Sequence, residues 1–257
     1  MKPSLSWPID YLPDREVLRS ENFGITAEAK SVAYPVRLLR YWFGYHLMRD
    51  EARRAGRPVS VAEIGVETGQ MLRFAKLALS RTESKAGAWW SRWSAVDVEI
   101  REAQLREAGY SDFQNVNLDE PDLKLAQAYD IAICLHVFEH LFDPEAAVRK
   151  LVANLAPGGV LIGGFPSVPD FCVAPRERAI RKTARKFGHV SVFSPPRVRR
   201  MCRAAGCEVE FLSGAFFMRK KGNPLENSPQ WLKFNILWGS LFPAWPGEIY
   251  WLARKIT

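Results

Sequence analysis

Acidic, glycine and histidine residues recur where apolar runs end, and these residue types could do chemistry there. Glu63 closes a short run rich in β-branched residues, and Gly65, Glu67 and Gly69 follow it in a tight turn. Asp97 closes a second apolar run. Glycine lets a backbone approach a ligand, and carboxylates accept hydrogen bonds from hydroxyl and ammonium groups. Since ligands of open α/β sheets bind at the carboxyl ends of the strands, this pattern predicts a nucleotide-type site.

The spacing of the glycines argues against a dinucleotide ligand. The fingerprint G-x-G-x-x-G seats a pyrophosphate on a helix N-terminus. Here Glu67 stands at the middle glycine position and the third glycine is missing. A carboxylate in this loop repels a diphosphate and tolerates a cation, and S-adenosylmethionine (SAM) carries an ammonium and a sulfonium without phosphate. The strand–turn–helix of an unrelated α/β protein remains an equal alternative.

Histidine is the side chain best suited to take a proton near neutral pH, and the chain has four. His136 follows the fourth predicted strand, so we expect it in the ligand pocket and predict it as a catalytic residue. His189 lies in a segment, residues 166–200, that we interpret as a substrate-side lid, and we predict a catalytic base or substrate contact there. His140 is interpreted as packing the start of a helix, and His46 as a structural residue or part of a cap.

Hydrophobic periodicity predicts the elements that position these residues. A continuous apolar run at 129–135 indicates a strand buried on both faces. We interpret residues 1–58 as an N-terminal arm and helical cap, and 59–257 as the ligand-binding domain. A helix over 31–55 is predicted either as a lid or as a helix packed on the sheet. The stretch 59–69 is predicted to hold a buried strand, a tight loop and the opening of a helix. The remaining predicted elements are strands at 93–98, 112–118 and 160–165, helices at 100–108 and 145–155, an insertion at 81–92 and a turn at 156–159.

Two runs, 129–141 and 155–161, together resemble the central block of class I SAM-dependent methyltransferases, above all the group acting on small molecules, sugars and lipids. The resemblance extends over residues 59–255, with His189 and the run 247–255 similar to the segments around the sixth and seventh strands. It implies an α/β, Rossmann-like fold with seven strands in the order 3-2-1-4-5-7-6 and helices on both faces. The last strand is expected antiparallel, between strands five and six.

The resemblance also assigns the predicted cofactor contacts. The family has an acid-x-G-x-G-x-G loop after the first strand, which Glu63, Gly65 and Gly69 match and from which Glu67 departs. Asp97 matches the acid that binds the ribose hydroxyls. The positions implied for adenine and for the methionine part of SAM are, respectively, Asn117 and Asp119, and Leu135 and His136.

The function implied is methyl transfer from SAM to a small-molecule, sugar- or lipid-linked acceptor, with oxygen favoured over nitrogen. Such transfer requires alignment and exclusion of water, and neither a metal nor a covalent nucleophile is predicted. The alternative is a non-catalytic SAM-fold protein that binds a partner or a membrane, motivated by Glu67 and the aromatic segment 231–245. A nucleic-acid methyltransferase is disfavoured, because we find no Asn/Asp-Pro-Pro-Tyr-type motif and no separate RNA-binding module.

Charge and composition suggest partners without fixing them. The formal net charge is +8, which favours an anionic acceptor, a membrane surface or merely a basic surface. A basic run at 176–186 fits capture of a phosphate or carboxylate, or a solvated helix face. The aromatic segment 231–245 could wall an acceptor pocket, touch a membrane, pack on the sheet or contact a second subunit. Four cysteines without metal spacing, together with the absence of a signal-peptide or membrane-span pattern, indicate a reduced, cytoplasmic protein.

Overall fold

A computed structural model describes residues 39–82, 87–185, 188–218, 225 and 228–256. The predicted arm and the first part of the predicted helix, including Pro35, lie outside these residues. The helices are α1 Leu39–Ala55, α2 Gln70–Thr82, α3 Glu102–Ala108, α4 Pro144–Ala153, α5 Asp170–Lys182, α6 Pro195–Ala204 and α7 Pro229–Leu241, with a 3-10 turn at Phe138–His140. The strands are β1 Val59–Ile64, β2 Trp90–Asp97, β3 Asp112–Asn115, β4 Tyr129–Leu135, β5 Leu155–Ser167, β6 Cys207–Gly214 and β7 Gly247–Lys255.

The seven strands form one sheet in the order β3-β2-β1-β4-β5-β7-β6. The strands β1 to β5 pair in parallel, and β7 runs antiparallel to both β5 and β6. Parallel pairing brings the carboxyl ends of β1, β2 and β4 to one edge, where the loops that follow them face the same space. The predicted fold class and strand order are confirmed.

The core lies on both faces of the sheet, as alternation along a strand requires. In β4, Ile131 and Ile133 pack into one cluster, whereas Ala132 and Cys134 pack into the other. Helices α1 and α2 contribute to the first cluster, and α4 and α6 to the second. Among the helices that the structure describes, none combines the length and the apolar character needed to cross a bilayer.

Helix α1 packs on the sheet, which is one of the two roles predicted for it. Trp42, Phe43 and Tyr45 are fully buried, and the Phe43 ring stacks on the Tyr250 ring of β7 with centroids 4.7 Å apart. Aromatic side chains bury large apolar areas, so this face anchors the helix. The start of the helix nevertheless reaches the sheet edge, since Arg40 lines the main cavity.

Several predicted boundaries were wrong. Strand β2 begins at Trp90, three positions before predicted residue 93, because Trp89, Trp90 and Trp93 pack together. Strand β3 ends at Asn115 rather than at residue 118. The predicted turn at 156–159 is a bulge inside β5, where the pairing with β4 jumps from Leu155 to Val160 over two residues of β4. Gly158 adopts a φ of 69° within this bulge.

Helix α7 crosses β6 so closely that the two backbones touch, which makes Gly239 sensitive to substitution. A Cβ placed on Gly239 would lie 2.2 Å from the carbonyl carbon of Gly214, and backbone cannot swing aside as a side chain can. We expect Gly239→Ala to lower the free energy of unfolding by about 3 kcal/mol. The measurement is urea denaturation. Gly87→Ala is the matched control, because a Cβ there meets nothing within 4 Å. Equal stability of the two variants would contradict this packing.

Candidate active site

A cavity of about 580 Å³ opens at the carboxyl edge of β1, β2 and β4. This volume lies within the range of roughly 300–1,000 Å³ of small-molecule sites. The predicted cofactor contacts that line it are Glu63, Gly65, Glu67, Asp97, Asn117, Asp119, Leu135 and His136. Sequence reasoning missed Arg40, Tyr41 and Gln70, which also line it. We call this space the first cavity.

Gly69 is the predicted cofactor contact that does not line the first cavity. Its φ is 75°, and a Cβ there would lie 2.8 Å from the Tyr110 ring and 3.1 Å from the Ala108 side chain. Glycine at this position therefore allows the start of α2 to pack against the end of α3. The structure thus gives Gly69 a role in helix packing, and its predicted contact with the cofactor stays a prediction.

Gly65 is required by a close approach at the cavity wall. Its φ is 76°, and a Cβ would lie 2.2 Å from Cγ2 of Val137. Glu67 adopts the same left-handed region, with a φ of 47°, although this conformation is uncommon for a side-chain-bearing residue. Glu67 thus reproduces the backbone of the glycine that it replaces. The departure from the glycine pattern leaves the turn intact.

Asp97 faces the first cavity, and two backbone N–H groups hold its carboxylate in place. One oxygen accepts from the N–H of Glu67 at 3.2 Å, and the other from the N–H of Glu99 at 3.3 Å. A carboxylate offers about four acceptor positions, so each oxygen keeps one for a ligand hydroxyl. The arrangement suits two adjacent hydroxyl groups.

Glu63 differs from Asp97, because its carboxyl is committed to the protein. It is 6% exposed, and Oε2 accepts from Trp93 Nε1 at 2.8 Å and from the Tyr110 hydroxyl at 2.5 Å. Burial raises the pKa of Glu63 to about 7, against the opposing effect of the two donors. Near neutral pH this group therefore also exists protonated, and the predicted contact of Glu63 with the cofactor stays a prediction.

The raised pKa of Glu63 makes stability depend on pH. The unfolded chain releases this proton near pH 4.5 and the folded chain near pH 7, so the folded state binds more protons between these values. Stability therefore falls as pH rises through that window, by about 3 kcal/mol for this group. We expect Glu63→Gln to lack this fall when urea denaturation is followed across the window. A wild type and variant with parallel pH dependence would contradict the assignment.

His136 holds a strained position between two buried carboxylates. Its φ is 57°, Nδ1 lies 3.2 Å from Glu139 Oε1, and Nε2 lies 3.4 Å from Glu248 Oε2. Burial and the charge of Arg40 lower the pKa of His136, but the charge of Glu248 and hydrogen bonding to Glu139 and Glu248 outweigh them, so the net pKa is raised. His136 therefore holds a proton more readily than a free imidazole does.

Glu248 ties the C-terminal strand to this site. Its Oε1 lies 3.7 Å from Nη2 of Arg40, and its Oε2 accepts from the Tyr250 hydroxyl. Sequence reasoning missed this residue. The sequence did contain one signal for it: Glu248 directly precedes the apolar run 249–253. An acid in a buried strand needs a polar partner, so its position pointed to a contact with another charged residue.

A second cavity, of about 390 Å³, lies beyond the carboxylates of Glu139 and Glu248, which line it. His136 of the first cavity contacts both carboxylates, so the two cavities share this wall. The predicted catalytic residue His189 lines the second cavity and does not line the first. The two predicted catalytic histidines thus flank the same pair of carboxylates from different cavities.

Glu139, His140 and His189 converge at this wall. Their potential ligand atoms lie within 4.8 Å of one another, a donor set that could hold a metal ion. The rings of His140 and His189 lie 4.9 Å apart, edge to face. His140 lines the first cavity as well, and its Nδ1 lies 3.2 Å from the carbonyl oxygen of Gly188. His46, in contrast, is buried against Trp42, and burial, together with the charges of Arg49 and Arg53, lowers its pKa to about 2.

The first part of the basic run, residues 176–182, falls on α5, within the predicted lid segment. Arg181 pairs with Glu177 at 2.9 Å and donates to the carbonyl oxygen of Val190 at 2.8 Å. Arg176 lines the second cavity. The run therefore mixes residues that fasten the segment with one that faces the cavity.

The aromatic segment 231–245 is partly packed and partly exposed. Leu232 and Ile236 of α7 join the core, and the Trp238 ring lies 4.8 Å from that of Phe217. Exposed side chains on the outer face are Phe234, Leu237, Leu241, Phe242 and Trp245. The predicted contacts of this segment with a membrane or a second subunit stay predictions.

Comparison with known proteins decides the family. Residues 40–211 match the family model described as a methyltransferase domain. The chain belongs to this methyltransferase family. The match begins inside α1 and includes both histidines predicted as catalytic.

A curated methyltransferase and two solved methyltransferase structures are similar to this one. Ubiquinone biosynthesis O-methyltransferase of Xanthomonas axonopodis pv. citri is 24% identical over 147 residues, 54% of this chain and 62% of that relative. The chain thus spans about 62% of this relative's length. An S-adenosylmethionine-dependent methyltransferase from Mesorhizobium loti has a TM-score of 0.57 and 16% identity, covering 84% of this chain and 98% of the other.

The other structure is the 1,6-didemethyltoxoflavin-N1-methyltransferase of Burkholderia thailandensis, which contains its acceptor and S-adenosylhomocysteine. Its TM-score is 0.50 at 17% identity, covering 94% of this chain and 88% of that one. At such identities the likeness to solved structures shows the fold. With the family match, the class I SAM-dependent methyltransferase assignment, the enzyme class and SAM as cofactor, all predicted from the sequence, are confirmed.

Proposed function

We propose that this methyltransferase transfers the methyl group of SAM to an oxygen atom of a small-molecule acceptor. The observation that carries the proposal is the first cavity, where Asp97 offers two fixed acceptor oxygens beside the glycine turn. The similarity to an enzyme named as an O-methyltransferase supports oxygen as the acceptor atom. The finer acceptor classes, sugar- or lipid-linked molecules, remain part of the proposal.

The residues of the first cavity fit SAM. Asp97 would hold the ribose hydroxyls, and Asn117 and Asp119 would face the adenine. Leu135 and His136 would lie along the methionine part, whose carboxylate Arg40 would attract. Acidic side chains in the cavity suit a ligand whose ammonium and sulfonium are positive. The absence of phosphate from SAM removes the repulsion that Glu67 would exert on a dinucleotide.

When bound, SAM supplies a methyl carbon whose bond to the positive sulfur breaks, with both electrons going to sulfur. The protein has to align the acceptor oxygen and remove its proton. We assign the removal of this proton to His189, because burial lowers the pKa of His189 and so favours its neutral form near pH 7. The oxygen would use its electron pair for the new bond to the methyl carbon, leaving a methyl ether and S-adenosylhomocysteine. His189 would then carry the proton, and because its side chain is exposed it can return the proton to water.

His136 would act differently from His189. Since its pKa is raised between Glu139 and Glu248, it carries positive charge more readily and offers hydrogen bonds rather than accepting a proton. We propose that His136 holds the wall between the cavities in place. Its earlier prediction as a catalytic residue thus becomes a proposal for a positioning residue.

Calorimetric titration with SAM, S-adenosylhomocysteine and NAD tests the proposal. We expect both nucleosides to bind at one site, and NAD not to compete. Incubation with SAM labelled in the methyl group, followed by base treatment of the products, distinguishes ethers, which retain the label, from methyl esters, which lose it. Binding of SAM without any labelled product across hydroxylated acceptors would favour the non-catalytic alternative, and no binding of either nucleoside would overturn both.

A further inference from the structure

The buried floor of the second cavity consists of groups that accept hydrogen bonds. Glu139 is 1% exposed, and among the described residues its carboxylate lacks a full set of hydrogen-bond donors. Oε1 lies 3.2 Å from His136 Nδ1 in an ion pair, whereas Oε2 has no donor among the described residues. A buried acceptor left without a donor costs roughly 1–3 kcal/mol, so native sites of this kind usually receive a donor from a ligand or water.

Two histidines next to Glu139 also have acceptor atoms, and of these two His189 lines the second cavity. The carbonyl oxygen of Gly188 can only accept, so His140 Nδ1 carries its proton and Nε2 keeps a free electron pair. The neutral form of His189 likewise has one unprotonated ring nitrogen. Because the ligand atoms of Glu139, His140 and His189 lie within 4.8 Å of one another, one hydroxyl-bearing group can reach all of them.

The rim of the same cavity carries the opposite chemistry. Arg176 is exposed and lines the cavity, and the described residues include no acid that pairs with it. On the same helix Arg181 is engaged by Glu177. An unpaired guanidinium at a cavity rim binds carboxylate or phosphate in a bidentate manner. Apolar side chains, including Val168, Ile180 and Phe216, wall the space around it.

From this juxtaposition we propose that the second cavity is the acceptor site and that it takes a hydroxylated organic acid. The hydroxyl group donates to Glu139 and His189 at the floor, and the anionic group pairs with Arg176 at the rim. A volume of about 390 Å³ suits an acceptor of about the size of one substituted ring. The inference rests on the proposed function, because His189 is the base assigned there, and it adds the chemical class of the acceptor.

Calorimetry with defined acids, on the full chain saturated with S-adenosylhomocysteine, tests the inference. The probes are 3,4-dihydroxybenzoate, its uncharged methyl ester, benzoate without hydroxyls, and glucose 6-phosphate. We expect Arg176→Gln to raise the Kd of the hydroxylated acid about tenfold and to leave that of the ester unchanged. Arg178→Gln is the matched control, being exposed on the same helix without lining the cavity. Tighter binding of 3,4-dihydroxybenzoate than of glucose 6-phosphate shows that the anionic group is a carboxylate, and the reverse order shows that it is a phosphate.

A second variant tests the floor. Glu139→Gln keeps the shape of the side chain and is expected to reduce the preference for 3,4-dihydroxybenzoate over benzoate about tenfold. The inference is overturned if no acid binds in an Arg176-dependent manner, or if the ester binds as tightly as the acid. It is also overturned if added Zn²⁺ binds stoichiometrically and Glu139→Gln abolishes that binding, which assigns the floor to a metal. Titration of S-adenosylhomocysteine alone separates the two proposals, since its failure to bind sinks the proposed function.

Discussion

Replacing His189 with glutamine is expected to lower kcat for methyl transfer by about 10²–10⁴-fold, the usual contribution of a general base. His189 lines the second cavity, with its nitrogen close to the carboxylate of Glu139. It does not line the first cavity, so the Kd of S-adenosylhomocysteine should stay unchanged. The measurement is the initial rate of label transfer from SAM to the acceptor, together with calorimetry on the same preparations.

The pH profile distinguishes a base from a residue that only shapes the cavity. Partial burial lowers the pKa of His189 below 6.5, with support from the charges of His140, His136 and Arg176 and against the pull of Glu139. Protonated His189 cannot take a proton, so kcat/KM of the wild type should rise as pH passes this depressed pKa and level off by neutrality. The glutamine variant should lack that rise.

The controls use rescue and an independent ligand. His189→Ala should regain activity when imidazole is added, because a free base can occupy the space that the side chain leaves. Unchanged kcat in His189→Gln would remove the residue from the chemistry. An equally steep acid limb in the variant would assign the titration to a group other than His189.

What the sequence could predict here was local along the chain. Asp97 and the glycine turn follow apolar runs directly, so hydrophobic patterning and turn chemistry were enough to bring them to one edge. The same holds for His136 after β4. The continuous apolar run at 129–135 was enough to predict that β4 is buried on both faces. The order of the strands, in contrast, came from the resemblance to a family and not from the hydrophobic pattern.

What escaped prediction depends on contacts between distant segments. Glu248 reaches His136 because β7 returns antiparallel beside β5, pairing Glu248 with Pro166. Arg40 arrives from a helix that the sequence pattern could place either over the site or on the sheet. The raised pKa of Glu63 arises from burial beside Trp93 and Tyr110, which are brought together by β2 and the end of α3. Propensity and periodicity carry no record of such pairings.

The bulge in β5 shows the same limit at the level of the backbone. The run Ala156-Pro157-Gly158-Gly159 has the composition of a turn, and proline and glycine favour turns locally. Strand β4 pairs with Leu155 before the run and with Val160 after it, and this pairing keeps the strand continuous across the bulge. Tertiary hydrogen bonding outweighed the local preference.

Asp97→Ala is expected to raise the Kd of S-adenosylhomocysteine by at least about 100-fold. Two hydrogen bonds from ribose hydroxyls to a charged group contribute roughly 1.5–3 kcal/mol each, and both are lost. The backbone N–H groups of Glu67 and Glu99 lose their acceptor as well, which loosens the turn that forms the cavity wall. Calorimetric titration of the variant against the wild type measures the change.

Two comparisons make the role of Asp97 specific. Glu99→Ala is the matched control, because this exposed acid does not line the first cavity and its backbone N–H survives the substitution. A 3′-deoxy analogue of S-adenosylhomocysteine should bind the wild type about tenfold more weakly than the parent compound, whereas Asp97→Ala should not distinguish the two. If Asp97→Ala still binds the 3′-deoxy analogue more weakly than the parent compound, another residue holds the 3′-hydroxyl, and Asp97 at the end of β2 does not bind the ribose.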